Sequence, residues 1–129
     1  RFAARGVVSP YQMRGEPVAA DRRTSKLMQG TVDLLILKTL TRGPQHGYGV
    51  SSWIRERTAG ELALEDAALY QALHRLESRG LLISEWGASD NNRRAKYYEI
   101  TRKGRHWLAE ESSTWERYAR AVFSVLDPA

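Results

Sequence analysis

A chain of 129 residues with 42% apolar residues suffices for one small domain with an appendage, a size at which a single core is only marginally stable. Cysteine is absent, which excludes disulfides and thiolate metal sites, and no uncharged apolar run approaches the roughly 18 residues needed to cross a bilayer. The formal net charge of +5 fits an anionic partner, and that charge is unevenly spread. From Asn91 to Arg105 the cations Arg93, Arg94, Lys96, Arg102, Lys103 and Arg105 face Glu99 alone. Beyond His106 the balance reverses, with Glu110, Glu111, Glu116 and Asp127 against Arg117 and Arg120. No secretory signal is visible, and a soluble, cytoplasmic protein is expected.

In residues 1–26, Gly6, Pro10, Gly15 and Pro17 fall too close together for a long helix. This segment reads as a flexible basic N-terminal arm, for which a solvated tail is a plainer role than a DNA clasp. It opens on Arg1 rather than methionine, which suggests a trimmed start. The first helix is predicted from Thr31 as N-cap, with Asp33 in the first turn where a carboxylate meets the positive helix end. Val32, Leu35, Ile36 and Leu40 form one face, and Leu34 and Leu37 lie beside it. That is more apolar circumference than one shallow core uses, so Leu34 and Leu37 are assigned to contact with a second copy. Arg42-Gly43-Pro44 ends the helix.

A second helix is predicted from about His46-Gly47-Tyr48 to Thr58, with His46 ordering the turn before it and Val50, Trp53, Ile54 and Tyr48 as inward candidates. Leu62 and Leu64 alternate with Ala63 and Glu65, enough for a short strand beside a hairpin. Asp66 is read as the cap of a third helix whose stripe is Leu69, Ala72, Leu73 and Leu76, closed by Gly80 as a C-terminal glycine. Left over is a face of Tyr70, Gln71, His74, Arg75 and Ser78, residues suited to base edges and phosphates. An ordinary solvated helix face is the commoner fate of such residues.

The hairpin beyond Gly80 shifts that balance. Leu81–Trp86 and Lys96–Ile100 read as two strands, with Leu82, Ser84 and Trp86 on one face and Tyr98 and Ile100 opposed to Tyr97 and Glu99. The connecting loop, Gly87–Arg94, is longer than hairpin closure requires, and Asn91 and Asn92 are fit for left-handed backbone angles. Asn92, Arg93, Arg94 and Lys96 are therefore read as contacts to phosphates or a narrow minor groove, in preference to a solubilising turn. The last helix is predicted from Thr101 to about Leu126, with Leu108, Trp115, Tyr118, Val122 and Val125 recurring at three or four residues and Trp107 alongside. A helix of this length outruns a small domain, so its aromatic stripe needs another surface, which a two-fold partner supplies. The expectation is an α+β fold, mainly α with a small β-hairpin. It consists of the arm (1–26), a winged helix-turn-helix domain (27–101) and a C-terminal dimerisation helix (102–129).

From Leu27 to about Leu126 the sequence resembles the PadR family of winged-helix transcriptional regulators, particularly its branch with a short C-terminal helix. The resemblance rests on MQGTVDLLILKTL, GPQHGYGV, ALYQALHRLESRGLL and EWGASDNNRRAKYYEITRKG at the right spacing. It implies a homodimer on a palindromic operator, usually a repressor released by a small ligand. It also implies Tyr70, Gln71 and His74 on the DNA-facing helix, Arg93, Arg94 and Lys96 on the wing, and residues 107–125 on the dimerising helix. Two departures stand out: Ala67-Ala68 where the family often has Gly and a hydroxyl, and Gln71 where proline is frequent. Glutamine offers an amide that reads adenine or meets a phosphate, so the operator sequence is expected to differ from the family's usual one.

Catalysis finds little footing. His46, His74 and His106 fall on separate elements, and no HExxH, phosphate-cradling glycine loop or serine elbow is present. No metal or cofactor is expected. The more serious rival to DNA binding is a winged-helix protein–protein interaction module, since fold alone does not fix function. The Arg93, Arg94 and Lys96 cluster beside a polar helix face argues against that alternative. The four tryptophans are more often core and interface filler than a ligand cage, yet Trp107 and Trp115 near a two-fold axis would stack a small aromatic effector.

Overall fold

The structure, a computed structural model, describes residues 30–128. The arm read from residues 1–26 lies outside the described residues. Helix α1 covers residues 30–40 and leads through a turn into strand β1, Gln45–His46. Helix α2 is Gly47–Arg57, helix α3 Asp66–Ser78, strands β2 and β3 are Leu82–Ala88 and Arg94–Ile100, and helix α4 is Arg102–Leu126. The sheet is antiparallel with β3 in the centre, so that Leu82 pairs with Ile100 and Trp86 with Lys96, while Gln45 pairs with Tyr98. These elements make the winged helix-turn-helix expected from the sequence.

One core joins all four helices. Ile36, Leu37 and Leu40 of α1, Val50 and Ile54 of α2, and Leu69, Leu73 and Leu76 of α3 are buried against Leu81, Leu82, Tyr98 and Ile100, with Leu108 of α4 closing the cluster. Helix α2 starts where His46, as N-cap, accepts at Nδ1 from the Gly49 amide at 3.0 Å, so that histidine orders the first turn of the helix itself. Helix α3 ends in a Schellman turn: the Gly80 amide donates to the Glu77 carbonyl at 3.0 Å and the Leu81 amide to that of Leu76 at 2.9 Å. Gly80 has φ of +78°, which a side chain would strain. That turn delivers Leu81 into the core and starts the hairpin in register.

The same corner anchors α4. Thr101 Oγ1 accepts from the Gly104 amide at 2.9 Å and donates to the Gly80 carbonyl at 2.8 Å. Gly104 lies so close to the chain at Leu81 that an added Cβ would collide with the Leu81 carbonyl oxygen and with Ile100 Cγ1. The first turns of α4 therefore belong to the domain, and the rest projects from it.

Several expectations change. Leu62 and Leu64 form no strand; they pack partly buried against the core, and the third strand is Gln45–His46. Gly30 is already helical, so Thr31 is not the N-cap of α1; its Oγ1 accepts from Trp115 Nε1 at 3.1 Å. Leu37 is fully buried inside the domain and Leu108 is 8% exposed, so neither is open to a second copy, while Leu34 is half-buried. Tyr48 faces outward at 57% exposure. The cap of α3 is Glu65, with Asp66 the first helical residue. Both hairpin strands run further than expected, which leaves a tip of only residues 89–93.

Candidate nucleic-acid interface

The buried stripe of α3 fixes what the helix turns outward. With Leu69, Ala72, Leu73 and Leu76 inside, Ala67, Ala68, Gln71, His74 and Ser78 are exposed, and Tyr70 is half-buried toward Tyr98. Gln71 and His74, three residues apart, thus share the open face one turn from each other.

Arg75, expected on that face, is turned inward. Its Nη2 lies 2.5 Å from Oδ1 of Asp33 on α1, and the Asp33 side chain is only 7% exposed. Asp33 is therefore no solvated carboxylate of a first turn; it is the internal partner that pins α3 against α1. Arg75 Nε is buried without a hydrogen-bond partner, so the pair holds its geometry with one donor unsatisfied.

The hairpin is clasped to α3 through Glu77. Ser84 Oγ donates to Glu77 Oε2 at 2.6 Å, and Lys96 Nζ stands 3.9 Å from Glu77 Oε1. Lys96, read from the sequence as a free wing cation, is thus drawn partly toward α3 and also lies 5.8 Å from the Tyr98 ring centroid. Burial pushes the Tyr98 phenol above its ordinary pKa, and the nearby Glu77 carboxylate and Tyr70 add to the shift by making a phenolate unfavourable. The clasp fixes the hairpin against α3, so the outward face of the helix and the hairpin form one continuous surface.

At the tip, Ser89 to Arg93 close on themselves. The Ser89 amide donates to the Arg93 carbonyl at 2.7 Å, Ser89 Oγ donates to Asn91 Oδ1 at 2.6 Å, and Asn92 takes the left-handed conformation at φ +64°. Asn92, Arg93 and Arg94 are exposed, and none of their side chains meets a carboxylate among the described residues. The Arg94 guanidinium lies 4.6 Å from the centroid of the Trp86 ring. Sequence reasoning misses Trp86 and Glu77 as parts of this surface, and Asp33 as the buried partner behind it. For Trp86 a signal exists, because strand alternation already sets it on the face of Ser84 and Tyr98.

Beyond its anchored start, α4 carries an uncovered stripe. Trp115, Tyr118, Val122, Phe123, Val125 and Leu126 are all exposed. Trp107 is half-buried with the Arg79 guanidinium 5.2 Å from its ring centroid, and Trp115 is held by Thr31. Each of these two tryptophans thus has its own neighbour within the chain. No group of three or more His, Cys, Asp or Glu able to hold a metal exists among the described residues, and no described helix is long and apolar enough to cross a membrane.

A helix with an outward polar face, clasped to an arginine-tipped hairpin, is the arrangement of a class, the winged-helix transcriptional regulators. The match to known proteins narrows it. Residues 36–110, more than half of the chain, fit the transcriptional regulator PadR-like family, and the chain belongs to that family. It is 33% identical over 98 residues to the transcriptional regulator Rv3488 of Mycobacterium tuberculosis, covering 75% of this chain and 87% of that protein. Among solved structures it is similar to a transcriptional regulator from Clostridium thermocellum, with 31% identity, a TM-score of 0.70, and 78% of this chain and 97% of the other covered. A PadR family transcription regulator from Clostridium difficile is similar at 31% identity and a TM-score of 0.62, with 74% and 96% covered. Membership sets the protein among transcriptional regulators rather than enzymes.

Proposed function

We propose that the protein is a homodimeric, sequence-specific binder of double-stranded DNA that acts as a repressor at a palindromic operator. The observation that carries this reading is the clasp of Glu77 to Ser84 and Lys96, which joins the outward face of α3 to the hairpin as one unit. Gln71 and His74 enter the major groove and read base edges, with Tyr70 beside them. Asn92, Arg93 and Arg94 follow the backbone or the adjacent minor groove. Lys96 contributes charge close to the helix, whereas Arg75 serves the fold through Asp33.

Dimerisation rests on α4. Its stripe of Trp115, Tyr118, Val122 and Val125, with Leu34 of α1 at the edge, is the surface a second copy covers. A two-fold axis through that seam gives two recognition helices, and hence an operator with two-fold symmetry. Release by a small aromatic effector is supported by the exposed Trp115 ring, which the axis would present twice, with Trp107 about two turns earlier on the same helix. Selection of genomic fragments by the purified protein, followed by sequencing, tests the reading. Enrichment of an inverted repeat is expected, and fragments with no shared motif would refute sequence-specific binding.

A further inference from the structure

Trp86 is a large apolar side chain at the middle of β2, yet 55% of it is exposed. It shares its face of the hairpin with Ser84, Tyr98 and Lys96, the face that meets α3. Arg94 stands one strand over on the diagonal, because Trp86 pairs with Lys96 and Ala88 with Arg94. Two cations of β3 thus flank one indole, and they are held differently. Lys96 is turned to Glu77 at 3.9 Å, while Arg94 lies on the Trp86 ring at 4.6 Å and meets no carboxylate among the described residues.

The chemistry of that contact differs from an ion pair. A guanidinium held over an indole ring is attracted by the ring face without a carboxylate, which leaves N–H donors and the full charge open to a phosphate. An ion pair would consume those donors and cancel the charge. An arginine on a strand ordinarily loses rotamer freedom when it binds, and one held over a ring has already lost part of it. Arg93, its neighbour at the tip, has only its carbonyl engaged among the described residues, by Ser89. Charge alone therefore makes the two arginines equal, and geometry does not.

We infer that Trp86 is a positioning residue for DNA recognition, whose ring holds the Arg94 guanidinium as a preset clamp for a backbone phosphate beside α3. The inference rests on the DNA-binding function proposed for the chain. It distinguishes Arg94, the oriented contact, from Arg93, which adds charge without orientation.

A double-mutant cycle tests it, with duplex affinity measured for the full chain, W86A, R94A and W86A/R94A, and with W86F as the variant that keeps a ring. W86A should weaken binding by roughly two- to fivefold for each wing engaged, although the net charge is unchanged. W86F should restore most of that loss. R94A and W86A/R94A should bind alike, because removing the ring matters only while Arg94 is there to be held. Losses that multiply in the double variant, or W86A binding as tightly as the unaltered chain, would overturn the inference while leaving DNA binding intact. Failure of the unaltered chain to bind duplex at all would overturn the function and this inference with it. Thermal melts of the same variants guard against unfolding, and a mostly exposed Trp86 predicts little change in them.

Discussion

Breaking the pair between Asp33 and Arg75 should cost different amounts depending on which partner is removed. The Asp33 side chain is 7% exposed and that of Arg75 31%. Arg75→Met keeps an unbranched apolar stem but strands a buried carboxylate with no cation. Loss of one partner from a buried pair costs about 3–5 kcal/mol, and the partial exposure of Arg75 argues for the lower end, about 3 kcal/mol. Asp33→Asn leaves the guanidinium able to turn to water and keeps an oxygen to accept from it, so a loss of about 1–1.5 kcal/mol is expected. Replacing both, as Asp33→Leu with Arg75→Met, leaves no buried charge and should recover most of the larger loss. Urea denaturation followed by far-ultraviolet circular dichroism measures all three, at one protein concentration because subunit association would shift the midpoints. Equal and small losses for both single variants, under about 0.5 kcal/mol, would mean that the pair behaves as a surface ion pair and does not pin α3.

Gln71→Ala should relax discrimination at one operator position by about 1–3 kcal/mol, read by competition among operator variants. Equal loss on operator and random duplex would make Gln71 a phosphate contact instead. Trp115→Ala removes an aromatic from the α4 stripe and its bond to Thr31. If the proposed seam centres on Trp115, the loss can exceed about 2 kcal/mol, so sedimentation at micromolar concentration should show monomers and operator affinity should fall with them. A Trp115→Ala protein that stays dimeric would move the seam elsewhere. The raised pKa of Tyr98 means that, as pH climbs past the ordinary phenol value of about 10, the unfolded chain releases its proton before the folded one. Stability should therefore decline across that alkaline range, and Tyr98→Phe should flatten the decline; an unaltered slope in Tyr98→Phe would assign the effect to other groups.

The elements whose apolar period runs through one face are readable from the chain alone. The stripe of α3, its glycine stop, the hairpin alternation and the length of α4 all depend on neighbours within a few residues. What escapes depends on partners far along the chain. Arg75 looks like part of a polar face until Asp33, 42 residues away, is known to sit behind it. Leu37 looks surplus to one core because the sequence does not reveal that α1 shares a single buried cluster with α2, α3 and the sheet. Gln45–His46 carries no strand pattern, since a two-residue strand exists only through its pairing with Tyr97 and Tyr98. Leu62 and Leu64 carry the alternation without a partner strand, and simple burial satisfies them. At the candidate interface the exposed residues Gln71, His74, Arg93 and Arg94 are legible as residue types, whereas the clasp through Glu77 that orients them is not.

The most direct test of DNA recognition by α3 and the wing is a salt titration of binding to duplex DNA. If a dimer neutralises roughly six to ten phosphates, the logarithm of the binding constant should fall against the logarithm of salt concentration with a slope of about −5 to −9. A flat response, or no duplex binding at low salt, would contradict it.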